Sequence, residues 1–339
     1  MAARGTVGLL AFACAAAGGV ALGWMARQRN AAAALEGDPE WTQLQRPIAG
    51  VPHTVRSFDG TPLRVEILGD SCDRCRRSPT IVLVHGYALS QHSWHYQRRD
   101  LAGEFRLVCY DQRGHAGSAQ AAEGSYSSEA LGRDLAEVIA ATVPPGHRVV
   151  VVGHSLGGMS VLSFALRHPE RVERCLAGAV LLNTAGSGVL PAAVPAIASA
   201  LLRGARPGLQ GLDASLRARL TQRAHRIVWG VSLGPRASLA HVAFAEQLFV
   251  AAPISVKAAL GPALSGLDLA GAAGRLTVPT LVICGSADGL TPGRHARRLA
   301  DALPDATLVE LPGVGHMSML EAHETVTERI RQFTRGVAV

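Results

Sequence analysis

A strand-like run that ends in a Gly-x-Ser-x-Gly pattern constrains this chain more than any other feature. The apolar stretch Arg148–Val152 is followed by Gly153, Ser155 and Gly157, and then by residues with the composition of a helix. A buried strand that turns at once into a helix needs residues with almost no side chain two positions before and two positions after the serine. The pattern therefore predicts a strained turn that holds the Ser155 hydroxyl at the end of a buried strand.

The composition is that of a large folded protein. The chain has 339 residues, of which 48% are hydrophobic, so it can bury a substantial core. The net charge of +7 comes from arginines that are scattered along the chain, and aromatic residues make up 4%. Since nucleic-acid binding needs clustered basic residues or aromatic stacking platforms, we expect no nucleic-acid partner.

The N-terminus carries a second signal. Residues 5–24 contain no charged side chain and are flanked by Arg4 on one side and by Arg27 and Arg29 on the other. About 20 apolar residues are enough to cross a bilayer as a helix, so residues 1–26 are interpreted as a single-pass transmembrane anchor. Cleavage of a signal peptide near Ala31, followed by secretion, is the alternative. The flanking charges oppose one another and leave the side of the membrane open.

The rest of the chain divides into a polar linker at 27–50 and a folded domain at 51–335. In this domain, apolar strand-like runs alternate with helical stretches, which indicates a mostly parallel sheet with helices on both faces. The alternation lapses over 185–274, where the sequence is rich in Ala, Leu and Gly. An insertion of this size between two strands predicts a helical cap over the carboxyl edge of the sheet, where ligands bind in open α/β sheets.

Two further residues complete a candidate catalytic set with Ser155. A serine hydroxyl needs a base to accept its proton and a group that orients the base. Asp288 follows the strand-like run Thr280–Cys284, and His316 follows the run Ala306–Leu311 through a Gly-rich turn. The order Ser, Asp, His along the chain, with each residue just past a predicted strand, predicts a catalytic triad. Asp268 is a rival for the acid, whereas Asp301 and Glu310 fall within a helix and a strand.

An oxyanion needs two backbone N–H donors near the serine. Leu156, directly after the nucleophile, supplies one, and Tyr87 in the loop His85-Gly86-Tyr87, which follows the run Thr80–Val84, supplies the other. His85, Gly86, Gly153 and Gly157 support these two turns. His85 and His154 are interpreted as packing and hydrogen-bonding residues, and His115, His295 and His323 are expected at the surface.

With these motifs in place, the chain resembles the α/β-hydrolase fold family, in particular its esterase- and lipase-like members with a His-Gly-x oxyanion loop. The matching stretches are Val82–Tyr87, Tyr110–Ser118, Gly153–Gly158, Gly285–Asp288 and Gly315-His316. The resemblance implies an eight-stranded, mostly parallel sheet and hydrolysis of ester or related bonds without a cofactor or a metal.

We therefore expect a serine hydrolase that cleaves carboxylic esters with a hydrophobic part, including lipid-derived esters, through an acyl-enzyme intermediate. Acyl transfer, or cofactor-free haloperoxidase or perhydrolase chemistry, uses the same triad and stays open as an alternative. A non-catalytic binding protein on a hydrolase fold is the alternative from another class. Cys72 and Cys75 form a single Cys-x-x-Cys pair without a second pair of zinc ligands, so we expect a local disulfide or two free thiols.

Overall fold

The computed structural model describes residues 34–70, 78–122, 124–187, 232–265 and 268–337. The anchor predicted at 1–26, the Cys72–Cys75 pair and residues 188–231 of the predicted cap lie outside the described residues.

One sheet of eight strands organises the molecule. Its strands are β1 Val51–Arg56, β2 Pro62–Leu68, β3 Thr80–Val84, β4 Leu107–Tyr110, β5 Val149–His154, β6 Leu176–Leu182, β7 Thr280–Gly285 and β8 Ala306–Leu311. The spatial order is β1-β2-β4-β3-β5-β6-β7-β8. The β1–β2 and β2–β4 pairings are antiparallel and the others are parallel. The predicted mostly parallel, eight-stranded sheet is thereby confirmed.

The helices connect these strands and cover the sheet. They are α1 Pro39–Leu44, α2 His95–Leu101, α3 Ser128–Thr142, α4 Leu156–Arg167, α5 Pro169–Cys175, α6 Leu239–Ala251, α7 Ile254–Ser265, α8 Gly293–Ala302, α9 Ser318–Glu321 and α10 His323–Gly336, with 3₁₀ turns at Gln91–Trp94 and Ala270–Arg275. Parallel strands require such crossover connections, and helices pack well against the twisted faces of the sheet.

The core lies on both faces of the central strands. All side chains of β3 and β5 are buried. Along β5, Val149 and Val151 join the apolar cluster that includes α3 and α4, whereas Val150 and Val152 join the cluster that includes α2 and α10. Successive side chains of a strand point to opposite faces, so a strand covered on both sides is apolar at every position. This double burial explains the uninterrupted valine run before the Gly-x-Ser-x-Gly turn.

A buried ion pair anchors the loop that follows β4. The Arg113 guanidinium donates two hydrogen bonds to the Asp134 carboxylate on α3, both at 2.6 Å, and neither side chain is exposed to solvent. Arg113 also donates to Asp59 and to the Ser125 carbonyl. Because every charge is paired, the arginine can be buried, and it holds the neighbouring Gln112 in place beside the candidate site.

The structure corrects part of the predicted linker. Within 27–50, residues Pro39–Leu44 form helix α1, which begins at an Asp38 N-cap and buries Leu44. The Glu40 carboxylate accepts a hydrogen bond from the Ser238 hydroxyl and lies 3.0 Å from His241 Nε2, both on the predicted cap. Prolines and polar residues suggested a tether, but Asp38 and Pro39 are also typical of a helix N-terminus, which the sequence interpretation missed.

The described part of the predicted cap contains α6, α7 and the 3₁₀ turn at Ala270–Arg275. Over the described ranges no single helix has the length and apolar composition to cross a membrane. Leu239–Ala251 and Ile254–Gly261 meet that test only as a pair, and they join at an angle of 90°.

Candidate active site

The predicted turn at Ser155 is present between β5 and α4. Ser155 has a φ of 52° and a ψ of −116°, a region that non-glycine residues rarely occupy. A Cβ atom on Gly153 would lie 2.6 Å from the Gly157 backbone, and one on Gly157 would lie 2.1 Å from the Val84 carbonyl oxygen. Only glycine fits at either position, because main chains approach each other this closely on both sides of the serine. The packing thereby maintains the strained backbone at Ser155.

Asp288 and His316 lie together at the carboxyl ends of β7 and β8. His316 Nδ1 is 2.9 Å from Asp288 Oδ2, which also accepts hydrogen bonds from Asn183 Nδ2 at 2.9 Å and from Thr291 Oγ1 at 2.7 Å. Asp288 Oδ1 accepts the N–H groups of Leu290 and Thr291, both at 2.8 Å. The carboxylate partner assigns the imidazole proton to Nδ1, which leaves Nε2 with the lone pair that can accept a proton.

The surroundings keep the Asp288 carboxylate ionised. Burial by itself raises the pKa of Asp288, but the charge and hydrogen bond of His316 and the donors of Thr291 and Asn183 outweigh burial. The pKa is held well below its ordinary value. An ionised, fully hydrogen-bonded carboxylate of this kind orients an imidazole and stabilises its protonated form.

His154 connects the serine turn to the His316 loop. Its Nε2 donates to the His316 carbonyl oxygen at 2.8 Å, and the two rings lie 4.9 Å apart between centroids. The Trp94 ring lies perpendicular to the His154 ring, with 6.4 Å between the centroids. Because His154 directly precedes Ser155, this contact brings the serine turn and the His316 loop to the same edge of the sheet. The packing role that the sequence analysis preferred for His154 agrees with these contacts.

The loop with the predicted oxyanion donor abuts the serine turn. A Cβ atom on Gly86 would lie 2.7 Å from His154 Nδ1, and one on Gly157 would meet the His85 carbonyl oxygen at 2.8 Å. The loop residues that precede the Tyr87 N–H thus contact the turn that carries the Leu156 N–H. The Tyr87 hydroxyl donates to the Lys257 carbonyl oxygen on α7 at 2.7 Å, which ties this loop to the cap.

A hydrogen-bond network holds the loop His85-Gly86-Tyr87 in place. His85 Nε2 accepts the Gln112 N–H at 2.9 Å, and Gln112 Nε2 donates to the His85 carbonyl oxygen at 2.6 Å. Ser160 Oγ on α4 donates to Gln112 Oε1 at 2.8 Å. The loops after β3 and β4 and helix α4 are therefore linked through one amide side chain.

The surface positions expected for three histidines are wrong. His115 is fully buried, with Nε2 accepting the Ala88 N–H at 3.1 Å, and His295 is 6% exposed. His323 is half-buried and stacks on Tyr96 with 3.7 Å between ring centroids. Each lies in or beside a loop or helix end that packs against other elements, and local polarity in the sequence does not reveal such packing.

The three rival acids are exposed at the surface, whereas Asp288 is buried. Asp268 is exposed and forms an isolated β-bridge with Ser187. Asp301 is exposed on α8, and Glu310 on β8 pairs with Arg297 at 2.6 Å. Among the described residues, Asp288 is the carboxylate that contacts the His316 ring.

Sequence reasoning missed two polar residues in this region. Asn183 follows β6 and donates to Asp288, and Glu321 on α9 accepts the N–H groups of Gly315 and Met317. Asn183 could have been found because, like Asp288 and His316, it comes directly after a buried strand. Glu321 offers no such signal. Within the described ranges, no group of three or more His, Cys, Asp or Glu residues could hold a metal ion.

Comparison with known proteins supplies an independent line of evidence. A family model described as the alpha/beta hydrolase fold matches residues 79–323. A putative carbamate hydrolase, RutD, of Variovorax paradoxus is 33% identical over 75% of this chain and 89% of its own. A pimeloyl-[acyl-carrier protein] methyl ester esterase of Chromobacterium violaceum is 30% identical over 81% of this chain and 96% of its own.

Solved structures agree with this similarity. A thermophilic esterase from Thermogutta terrifontis superposes with a TM-score of 0.69 at 25% identity, covering 85% of this chain and 99% of that one.

The buried histidines predict a pH-dependent stability. Burial lowers the pKa of His85 to about 4 and the pKa values of His115 and His154 to about 3. In the unfolded chain these histidines have the ordinary pKa of about 6.5. Below that pH the unfolded chain binds protons that the folded protein does not bind, so the free energy of unfolding falls as the pH falls. The loss approaches about 1.4 kcal/mol per pH unit for each such histidine once the pH is about one unit below that pKa. Urea unfolding between pH ~7 and ~5 measures this slope.

The variant His115→Gln should reduce the slope by about one histidine's share, because glutamine can accept the Ala88 N–H without titrating. Thr142→Ala provides the control, because it removes a buried hydroxyl that does not titrate and should lower the stability while keeping the parental slope. A parental slope in His115→Gln would contradict the prediction.

Proposed function

We propose that this chain, which belongs to the α/β-hydrolase family and is a hydrolase that acts on ester bonds, is a serine hydrolase that cleaves carboxylic esters through an acyl-enzyme intermediate. The observation that carries the proposal is the buried contact of His316 Nδ1 with the Asp288 carboxylate at 2.9 Å. This contact leaves His316 Nε2 as a proton acceptor at the sheet edge to which the strained turn presents Ser155.

The proposed reaction has two halves. In the first, Ser155 Oγ attacks the acyl carbon of the ester while His316 Nε2 accepts the hydroxyl proton, and the oxyanion is stabilised by the N–H groups of Tyr87 and Leu156. His316 then gives its proton to the leaving alcohol, and the acyl group remains on Ser155. In the second half, water repeats the sequence, releases the acid and restores Ser155. Asp288 holds the imidazole tautomer and stabilises its charged form.

Contacts of the other nearby histidines support His316 as the base. His154 Nε2–H is committed to the His316 carbonyl, and both His85 ring nitrogens are engaged by the backbone of Gly86 and Gln112. Burial lowers the pKa of each to about 3 or 4, so both stay neutral without taking part in proton transfer. Their proposed role is to hold the turns together.

A covalent probe tests the catalytic proposal directly. A fluorophosphonate reacts with a serine only when the base and the oxyanion donors are assembled, so the parent protein should be labelled and Ser155→Ala should not. Labelling is read by gel fluorescence and the modified residue by mass spectrometry. The control is Ser163→Ala, which removes another buried hydroxyl on α4, outside the Gln112 network, and should still be labelled.

Failure to label the parent, or equal labelling of parent and Ser155→Ala, would contradict the proposal and favour a non-catalytic binding protein. Acyl transfer is separated from hydrolysis by supplying an alcohol acceptor and measuring the ratio of transferred ester to free acid. A product that is mostly transferred ester at low acceptor concentration would assign this chain to the acyltransferases.

We further propose that the substrate has a hydrophobic acyl or alcohol part. The described cap helix α7 places Val256 against the loop after β4, since a Cβ atom on Gly114 would lie 2.7 Å from it, and its Lys257 carbonyl accepts the Tyr87 hydroxyl. Val256 and Leu260 are both buried. Helix α7 thus brings buried apolar side chains to the carboxyl edge of the sheet beside the loop after β4, which supports a hydrophobic substrate part. The methyl ester esterase and the carbamate hydrolase among the relatives support a small ester or related bond as the point of attack.

A series of p-nitrophenyl esters of increasing acyl length tests the substrate proposal. Each methylene that becomes buried contributes about 0.8 kcal/mol, so kcat/KM should rise by about 3- to 4-fold per methylene until the pocket is filled. The Ser155→Ala variant gives the background rate for every ester. A maximum at acetate, followed by a steady decline, would contradict a hydrophobic acyl pocket.

We also propose that residues 1–26 anchor the chain in a membrane. The full chain should sediment with membranes and resist extraction by high salt and alkali, because burial of about 20 apolar residues is not reversed by ionic strength. A deletion of residues 1–26 should yield protein in the soluble fraction with the same fluorophosphonate labelling. A full chain recovered as a soluble protein that begins near Leu35 would indicate cleavage instead.

A further inference from the structure

Glu321 is a buried carboxylate to which the proposed reaction assigns no role. Its Oε2 accepts the N–H groups of Gly315 and Gly234, both at 2.8 Å, and its Oε1 accepts the Met317 N–H at 3.0 Å. The residue is 7% exposed. Three N–H dipoles aimed at one carboxylate compensate the cost of burying it.

Two of these donors lie on either side of His316. Gly315 and Met317 are its neighbours in the chain, so Glu321 holds the backbone directly before and directly after the proposed base. The His316 N–H itself donates to the Ser232 carbonyl oxygen at 2.5 Å, and the Gly315 carbonyl accepts Asn183 Nδ2 at 3.1 Å. The peptide groups on both sides of the imidazole are thus fixed by hydrogen bonds.

The third donor comes from the cap insertion. It is Gly234, in residues 232–235, which we call the return segment and which directly precede α6. A Cβ atom on Gly315 would lie 2.2 Å from the Gly234 nitrogen, and one on Gly234 would lie 2.6 Å from the Gly313 carbonyl oxygen. The return segment and the His316 loop are therefore in direct main-chain contact, and the Glu321 carboxylate bridges the two.

The short helix α9 explains how the side chain reaches this position. Helix α9 begins after Met317, and Glu321 closes its single turn. The side chain turns back to the start of this turn, where N–H groups have no partner within the helix. Its own backbone is held by Met317, since the Glu321 N–H donates to the Met317 carbonyl oxygen at 2.9 Å. The Glu321 carboxylate thus holds the His316 loop, and the main chain of that loop holds Glu321.

We propose that Glu321 is a positioning residue that fixes the His316 imidazole against Ser155 and couples it to the return segment of the cap. The proposal rests on the proposed function of Ser155 and His316 in ester cleavage. Glu321 acts through the main chain and does not touch the substrate. A displacement of about 1 Å in a catalytic group can cost about 100-fold in rate, so fixation of this loop bears directly on turnover.

The test is the isosteric variant Glu321→Gln. The amide keeps one acceptor oxygen, but its NH₂ group would face an N–H donor, so at least one of the three hydrogen bonds must be lost. We expect kcat for a p-nitrophenyl ester to fall by about 10- to 100-fold and KM to change by less than about 2-fold. The rate constant for fluorophosphonate labelling of Ser155 should fall by the same factor as kcat. The low-field proton resonance of the His316–Asp288 hydrogen bond should weaken or shift.

Glu66→Gln is the matched control. Glu66 is a buried carboxylate on β2 that pairs with Arg64 and Arg98, neither of which belongs to the His316 loop. We expect Glu66→Gln to lower the melting temperature and to leave kcat within about 2-fold of the parent. A merely structural role for Glu321 would give the same pattern as this control. If Glu321→Gln does not yield folded protein, Gly234→Ala tests the same contact from the return segment, with the same loss of kcat expected.

A folded Glu321→Gln protein with kcat and labelling rate within about 2-fold of the parent, and an unchanged low-field resonance, would overturn the inference. That outcome leaves the proposed function intact, because the parent and Glu66→Gln would still be labelled at Ser155. Absence of Ser155-dependent labelling in the parent would instead remove the proposed function on which the inference rests.

Discussion

The close main-chain approach at Gly157 is the constraint on which the rest of the site depends. Helix α4 begins so near the end of β3 that a single added carbon would lie 2.1 Å from the Val84 carbonyl oxygen. This approach keeps Ser155 in its strained conformation and sets the loop after β3 beside the serine turn. Parallel strands end at the same edge of a sheet, so the loops after β7 and β8 arrive there as well.

Polar groups in this region are buried at a cost that only their hydrogen bonds offset. Asp288 accepts donors on both oxygens, Gln112 links two loops to α4, and Glu321 accepts three N–H groups. Loss of one member would leave its partners buried and unpaired, so these groups stabilise a single arrangement of the loops. The hydrogen bonds that offset the cost of burial therefore also hold the loops of the site in one arrangement.

Family membership and the geometry of the site answer different questions about function. Membership of the α/β-hydrolase family and the similarity to its relatives identify this chain as a hydrolase of ester bonds. The proposed acyl-enzyme chemistry comes from the particular residues at the sheet edge, because one fold hosts many reactions. The proposal of a hydrophobic substrate rests on the cap. Its helix α7 contacts the loop with Tyr87, because the Tyr87 hydroxyl donates to the main-chain carbonyl of Lys257.

The sequence alone determined the strands, the serine turn and the order of Ser155, Asp288 and His316, because these depend on local patterns of apolar residues and glycines. It gave no sign of Glu321, it placed His115 at the surface, and it took helix α1 for a linker. These three depend on contacts between segments far apart in the chain: Glu321 with Gly234, His115 with Ala88, and Glu40 with Ser238. Whether a polar residue is solvated or buried is set by what packs over it, and only the tertiary structure decided that.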